Sequence, residues 1–140
     1  MNIDEKDLAI IHALQKNSRA SIREVAKTTG IRPSTVHIRI GRLIETKVIE
    51  RFTLKVNNEA FGENFIAFLL IKTTGEIRKS AFNHVAVREV FGITGEYDLM
   101  AKVKFRDIKE FHEFLLRFRK EEHVGETVTM VSTITIKEEL

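Results

Sequence analysis

The chain has 140 residues, of which 43% are apolar and 31% charged, enough to bury a core and within the range of soluble globular proteins. It has no Cys, which excludes disulfides, thiol catalysis and Cys-based zinc sites, and its five His (His12, His37, His84, His112, His123) never fall at metal-ligand spacing, so neither a metal nor a cofactor is expected. No apolar run approaches the roughly 18 residues that a membrane span needs, and acids occupy the N-terminus where a signal peptide carries basic residues. A cytoplasmic location is expected. The formal net charge of +3 hides an asymmetry: residues 1 to 56 hold 11 Lys and Arg against 6 Asp and Glu, whereas the rest hold 12 against 14. A polyanion partner is expected for the first part alone.

Residues 3 to 50 read as three short helices. Asp4 is a good N-cap, and Leu8, Ile11 and Leu14 follow at helical spacing, so the first helix runs to about Lys16. Ser21-Ile22-Arg23-Glu24 is a capping box that opens a helix of about nine residues, ended by Gly30. Pro33 fits the first position of a third helix, where its missing N–H costs nothing, and Val36, Ile40 and Leu43 mark that helix's apolar stripe. Val48 to Val56 is rich in β-branched and aromatic residues and reads as extended, either a wing or a connecting strand.

Asn57-Asn58-Glu59 marks a boundary, beyond which strands alternate with helices. Phe65 to Ile71 is a strand apolar on both faces, Gly75 to about His84 a weak helix, Val87 to Thr94 a strand, Gly95-Glu96 a turn, and Asp98 to Phe105 another strand. Ile108, Phe111, Phe114, Leu115 and Phe118 trace an amphipathic helix, and Thr127 to Ile136 alternates as the last strand. The order βαββαβ is the ferredoxin-like split unit, so the fold class is α+β. Residues 1–50 are read as the helix-turn-helix, 51–60 as a linker strand and hinge, and 61–140 as the βαββαβ domain. Two helices can cover one face of that sheet; the other, with Ile66, Phe68 and Leu70, is expected to be buried by a second copy.

A short helix, a tight turn and another helix form the geometry that places the second helix in the major groove of duplex DNA. On the third helix Ser34, Thr35, Ile38 and Arg42 fall on the outer arc, flanked by His37 and Arg39, while Lys47, Arg51 and Lys55 continue the positive stripe. Arg39, Arg42 and Ser34 are expected at or near bases, Ile38 against a thymine methyl, and Arg51 and Lys55 at phosphates. Two other readings exist. The βαββαβ half could sense an amino acid for a protein partner without DNA contact, leaving the basic half unused. Glu96 and Asp98 beside Tyr97 could be a carboxylate pair of a small enzyme, but no nucleophile, base or phosphate loop accompanies them.

With both halves read, the chain resembles the Lrp/AsnC (leucine-responsive, feast/famine) family of transcription regulators over nearly its whole length. The carrying stretches are Ile3-Asp4-Glu5-Lys6-Asp7, Arg19-Ala20-Ser21-Ile22, Pro33-Ser34-Thr35-Val36, Arg39-Ile40-Gly41-Arg42-Leu43, Val48-Ile49-Glu50-Arg51-Phe52 and Thr94-Gly95-Glu96-Tyr97-Asp98. The resemblance implies a winged helix-turn-helix joined to a C-terminal ligand-binding domain, and homodimers that assemble further. It also implies a small-molecule pocket, for an amino acid, at Gly95, Glu96, Tyr97 and Asp98 with Ser132 and Thr133 of the last strand. From the residues alone, Gly95 is a turn glycine and Asp98 a solvated acid. The chain departs from the family pattern in three places: Arg32 stands where a Ser-like cap is usual, Lys47 where Gly is common, and the helix after Thr74 is short.

Overall fold

The computed structural model describes residues 2–140. The chain divides into two compact units, one reaching Leu54 and the other beginning at Lys55. No helix among the described residues is long and apolar enough to cross a membrane.

The first unit holds α1 (Glu5–Lys16), α2 (Ile22–Thr29) and α3 (Pro33–Glu45). Both of the first two helices open with a reciprocal capping box. Asp7 N–H donates to the Asp4 carboxylate at 2.9 Å and Asp4 N–H to that of Asp7 at 3.1 Å; Ser21 and Glu24 exchange the equivalent bonds at 3.1 and 2.7 Å. Gly30 ends α2 at φ +71°, a conformation that costs glycine nothing. The core joins Ile10 and Leu14 of α1, Val25 and Ala26 of α2, and Val36 and Leu43 of α3. Of the expected α1 stripe, Leu14 is buried and Ile11 packs against the core, but Leu8 does not join them. Leu8 is exposed and Asp7 is fully buried, because Asp7 faces α3, where it accepts hydrogen bonds from Nη1 of Arg39 at 2.9 Å and Nη2 of Arg42 at 2.5 Å. The same Arg39 nitrogen donates to both oxygens of Asp4, at 2.6 and 2.7 Å.

The family departures have visible consequences here. Arg32 caps α3 with no side-chain hydrogen bond. Lys47 lies at φ +56°, the left-handed turn that glycine adopts without a Cβ clash. That turn reverses the chain after α3, so that the N–H groups of Val48 and Ile49 both donate to Leu43 O, at 2.9 and 3.0 Å, and both side chains pack on the core. The expected strand or wing over Val48 to Val56 is not formed: residues 51–57 pair with no strand among the described residues.

The second unit is a four-stranded antiparallel sheet in the order β2-β3-β1-β4, built from β1 (Phe65–Thr73), β2 (Val87–Gly92), β3 (Leu99–Phe105) and β4 (Val124–Val131). Ala67, Leu69 and Ile71 of β1 and Ala101, Val103 and Phe105 of β3 point to one face, where Phe111, Phe114, Leu115 and Phe118 of α4 (Ile108–Phe118) cover them. The weak helix expected over Gly75 to His84 contracts to one 3-10 turn, Lys79–Phe82. Ile77, Ala81 and Phe82 still reach the core, which explains why the apolar pattern suggested a helix. The last strand begins three residues earlier than expected and stops at Val131, leaving Ile134 and Ile136 exposed; β2 ends at Gly92 and β3 begins at Leu99. On the open face Ile66, Phe68 and Leu70 are half-covered, and Phe91 and Met130 are exposed.

Two outcomes are expected from this geometry. Lys47→Gly should raise the urea midpoint of the helical unit, because relief of roughly 1 kcal/mol of left-handed strain exceeds glycine's added chain entropy; a lower midpoint would show that the Lys side chain stabilises the turn. The hydrogen bond from Arg39 holds the Asp4 carboxyl at about 2, below its ordinary 3.8. A depressed folded-state value makes the contribution of Asp4 complete above about pH 4 and lost as the pH falls through 2. Acid unfolding followed by circular dichroism should therefore be shallower in that window for Asp4→Asn.

Candidate functional site

The third helix presents a polar face with its base fixed. Val36 and Leu43 anchor it in the core, and the Asp7 carboxylate holds its two arginines from the α1 side. Ser34 and His37 are exposed, Thr35 is half-exposed, and Ile38, which belongs to neither core, retains 69% of its surface. An exposed β-branched side chain among hydroxyls and an imidazole suits a surface that meets both base edges and methyl groups. Gly41, in the next turn, has nothing within 4 Å of the position a Cβ would take, so it keeps the helix surface low.

The arginines depart from expectation. Arg39 was expected at the base-reading face; its guanidinium instead bonds Asp4 and Asp7, and these carboxylates raise its pKa further. Arg42 shares Asp7 but leaves half of its side chain exposed, so it can still face a phosphate. Lys47 and Arg51 are exposed. Lys55 is not free: its ammonium donates to Glu138 at 2.9 Å. The partners of Arg39 and Arg42 lie 32 to 35 residues upstream, a pairing that helical periodicity within α3 does not reveal.

In the sheet unit Gly95 adopts φ +112° at the tip of the turn between β2 and β3, as a turn glycine should. Asp98 is exposed, as expected of a solvated acid, but one of its oxygens is engaged: Oδ2 accepts from Thr73 N–H at 2.7 Å and from the Thr73 hydroxyl at 3.2 Å. It thereby serves the end of β1, where the register with β4 slips between Ile71 and Thr73. Ser132 and Thr133 are not beside this turn. Ser132 N–H donates to Ile66 O, at the other end of β1, roughly 20 Å of strand away. The register brings Glu126 and Lys72 to the turn instead. Tyr97 donates its hydroxyl to Glu126 at 3.2 Å, and Lys72 Nζ lies 3.5 Å from Glu96, 3.7 Å from Glu126 and 5.4 Å from the centre of the Tyr97 ring. Burial and the Glu126 carboxylate push the Tyr97 hydroxyl up. Desolvation opposes the charge on Lys72, but the Glu126 and Glu96 carboxylates outweigh it and raise its pKa. Sequence reasoning missed Lys72 and Glu126 because only strand register places them here.

A shallow recess lined by Glu76, Arg78, Glu121 and His123 contains none of the expected effector residues, and no group of three His, Asp or Glu that could hold a metal occurs among the described residues.

Comparison with known proteins gives both units the same context. Residues 3–44 match the AsnC-type helix-turn-helix domain, and residues 66–140 match the Lrp/AsnC ligand binding domain. The chain is 38% identical to the HTH-type transcriptional regulator FL11 of Pyrococcus furiosus, covering 92% of this chain and 88% of that one. It is 37% identical to FL11 of Pyrococcus abyssi, covering 99% and 94%. Among solved structures, AsnC of E. coli superposes with a TM-score of 0.84 at 24% identity, covering 100% of this chain and 98% of that one. A transcriptional regulator of Neisseria meningitidis, in complex with L-Met, superposes with a TM-score of 0.87 at 22% identity, covering 99% and 94%. The residues matched by the two domain models and the identity to the Pyrococcus regulators together establish that this chain belongs to the Lrp/AsnC family of transcription regulators, with a helix-turn-helix DNA-binding domain and a ligand-binding domain.

Proposed function

We propose that the protein binds double-stranded DNA sequence-specifically by seating α3 in the major groove, and that a small metabolite, an amino acid, modulates this binding by shifting the oligomer population. The observation that carries the first part is the face of α3. Ser34, Thr35, His37 and Ile38 point outward from a helix whose orientation is fixed by carboxylate–guanidinium bonds to α1. These four residues supply base-edge and methyl contacts; Arg42, Lys47 and Arg51 supply phosphate contacts. Arg39, committed to Asp4 and Asp7, orients the helix.

The open sheet face supports a homodimer. Half-covered Ile66, Phe68, Leu70 and Met100, with exposed Phe91, form the apolar part of a face that also carries Lys102 and Lys104, and antiparallel sheets bury such an apolar area against a second layer. Symmetric pairing would present two recognition helices to half-sites about one helical turn apart or a multiple of it. For the effector, Lys72 matches a carboxylate, and Glu96 and Glu126 match an ammonium group, the two charges that every amino acid carries. L-methionine is bound by the Neisseria relative in fold and by a feast or famine regulatory protein of M. tuberculosis, which supports this ligand class here. A ligand that binds one assembly better than another shifts the population toward it.

Selection of bound sequences from random duplex DNA should yield a palindromic consensus. Arg51→Ala should flatten the dependence of log K on log salt by about 0.9 across all sequences, whereas Ile38→Ala should relax preference at one base pair per half-site. Absence of any selected consensus would overturn the DNA-binding assignment. Titration of the twenty amino acids, followed by melting temperature and solution mass, should identify at least one that shifts both in the native dimer. Its effect should be weakened in Glu96→Gln and Glu126→Gln; no shift with any amino acid would end the amino-acid assignment.

A further inference from the structure

A second concentration of charge in the unit from Lys55 onward lies apart from the Gly95 turn, on the open face of the sheet. Lys102 and Lys104 alternate with Ala101, Val103 and Phe105 of β3, so their side chains leave the sheet on the side away from the core. Lys104 keeps only 9% of its side-chain surface, and an ammonium group so covered needs a counter-charge. It comes from the end of the chain. The Glu138 carboxylate, 10% exposed, accepts from Lys104 at 2.8 Å, from Lys102, from Lys55 at 2.9 Å and from the Asn58 amide at 3.2 Å. Asn58 closes the network by accepting from Lys104 at 2.7 Å. Burial by itself would raise the Glu138 carboxyl; the three ammonium groups outweigh it and hold the carboxyl far below the usual range.

Two features show what this node holds together. The tail after Val131 pairs with no strand beyond the Ser132 N–H bond, and Ile134, Ile136 and Leu140 are all largely exposed, so apolar burial does not fix it. Lys55 is the first residue of its unit, and the chain passes from it directly to Leu54 of the helical unit. One carboxylate thus ties the segment after Val131 and the exit point of the linker to the same strand.

We propose that Glu138 is a positioning residue for DNA binding: by tying Lys55 to Lys102 and Lys104 it fixes where the chain leaves the sheet for the helix-turn-helix, and Lys55 acts as a linker anchor, not as a phosphate contact. The inference rests on the reading that α3 binds duplex DNA. An unanchored linker would have to be ordered on the operator in each complex, and ordering one further residue lowers affinity by about tenfold. A fixed exit point also limits how far apart two recognition helices can reach, so it restricts half-site spacing.

The test uses full-length protein and its selected operator, with Glu138→Gln, Lys55→Met and the double variant compared with wild type. Each single change should lower operator affinity by about tenfold. The double should lose no more than either single, since both remove the same tie. All three should keep the wild-type slope of log K against log salt, and should accept operators whose half-sites are moved by one or two base pairs, a tolerance that simple loss of stability does not confer. Trypsin should cut after Arg51 faster in both singles than in wild type. Lys55→Met removes a partly exposed charge and leaves Glu138 paired with Lys102 and Lys104, so it reports even if Glu138→Gln unfolds. A slope flattened by about 0.9 in Lys55→Met would make Lys55 a phosphate contact and overturn the proposal. So would singles with wild-type affinity and spacing preference. If wild type itself selects no duplex, the DNA-binding reading fails and this role fails with it, a result recognisable because no substitution is needed to see it.

Discussion

The helix-turn-helix depends on one buried carboxylate. Asp7 has no surface exposure, and a charge in that position is tolerable only with hydrogen-bonded counter-charges. It has two, Arg39 and Arg42, both on α3 and three residues apart, so that they lie on adjacent turns of one helix face. A carboxylate that bridges two guanidiniums fixes the rotation of α3 as well as its distance from α1. Apolar contacts alone would tolerate some rolling of α3 about its axis, because Val36 and Leu43 can exchange neighbours at little cost; the directional bonds to Asp7 cannot. Asp4 adds a second hold on Arg39, and since Asp4 also caps α1, the start of one helix and the middle of another share a network.

In the proposed DNA complex, this determines which residues of α3 are left to face the duplex. With Arg39 turned inward, the outward arc of α3 is hydroxyl, imidazole and aliphatic at its N-terminal half, and positive charge is displaced to the end of the helix and the segment after it, at Arg42, Lys47 and Arg51. Such a division separates the two jobs of a recognition helix: short side chains near bases demand close approach and read shape and methyl groups, and long cationic ones at the periphery reach phosphates. Gly41, which carries no side chain toward the groove, suits that close approach.

Much of this was legible in the sequence where the determinants are local. Both capping residues, the glycine that ends α2, the proline that opens α3 and the stripe of α4 all act within four residues of themselves, and each element forms where its signals stand. The departures are non-local. Leu8 fits a helical stripe with Ile11 and Leu14 as well as Ile10 does, and only the arginines of α3 decide that Asp7 faces inward. The segment from Gly75 to His84 carries core residues Ile77, Ala81 and Phe82 at helix-like spacing, but a single 3-10 turn satisfies them. Ser132 and Thr133 were expected beside Gly95 because β4 was set too late in the chain. The actual pairing of Ile71 with Thr127 and of Ala67 with Val131 carries them to the opposite end of β1.

The same register argument changes the chemistry expected of the turn at Gly95. One oxygen of Asp98 is committed to Thr73, whose N–H would lose its partner if that bond were broken where the β1–β4 ladder is already interrupted. Its value lies in holding the turn against the sheet. The groups that remain adjustable are Lys72, Glu96, Tyr97 and Glu126, all on the surface and bound to one another through contacts of 3.2 to 3.7 Å. Solvated pairs of this kind contribute little stability, so they can be exchanged for contacts to a zwitterion without loosening the fold. A turn set by Asp98 and Gly95, carrying charges that satisfy each other only weakly, suits the proposed small-molecule site: geometry that stays in place and electrostatics that a ligand can take over.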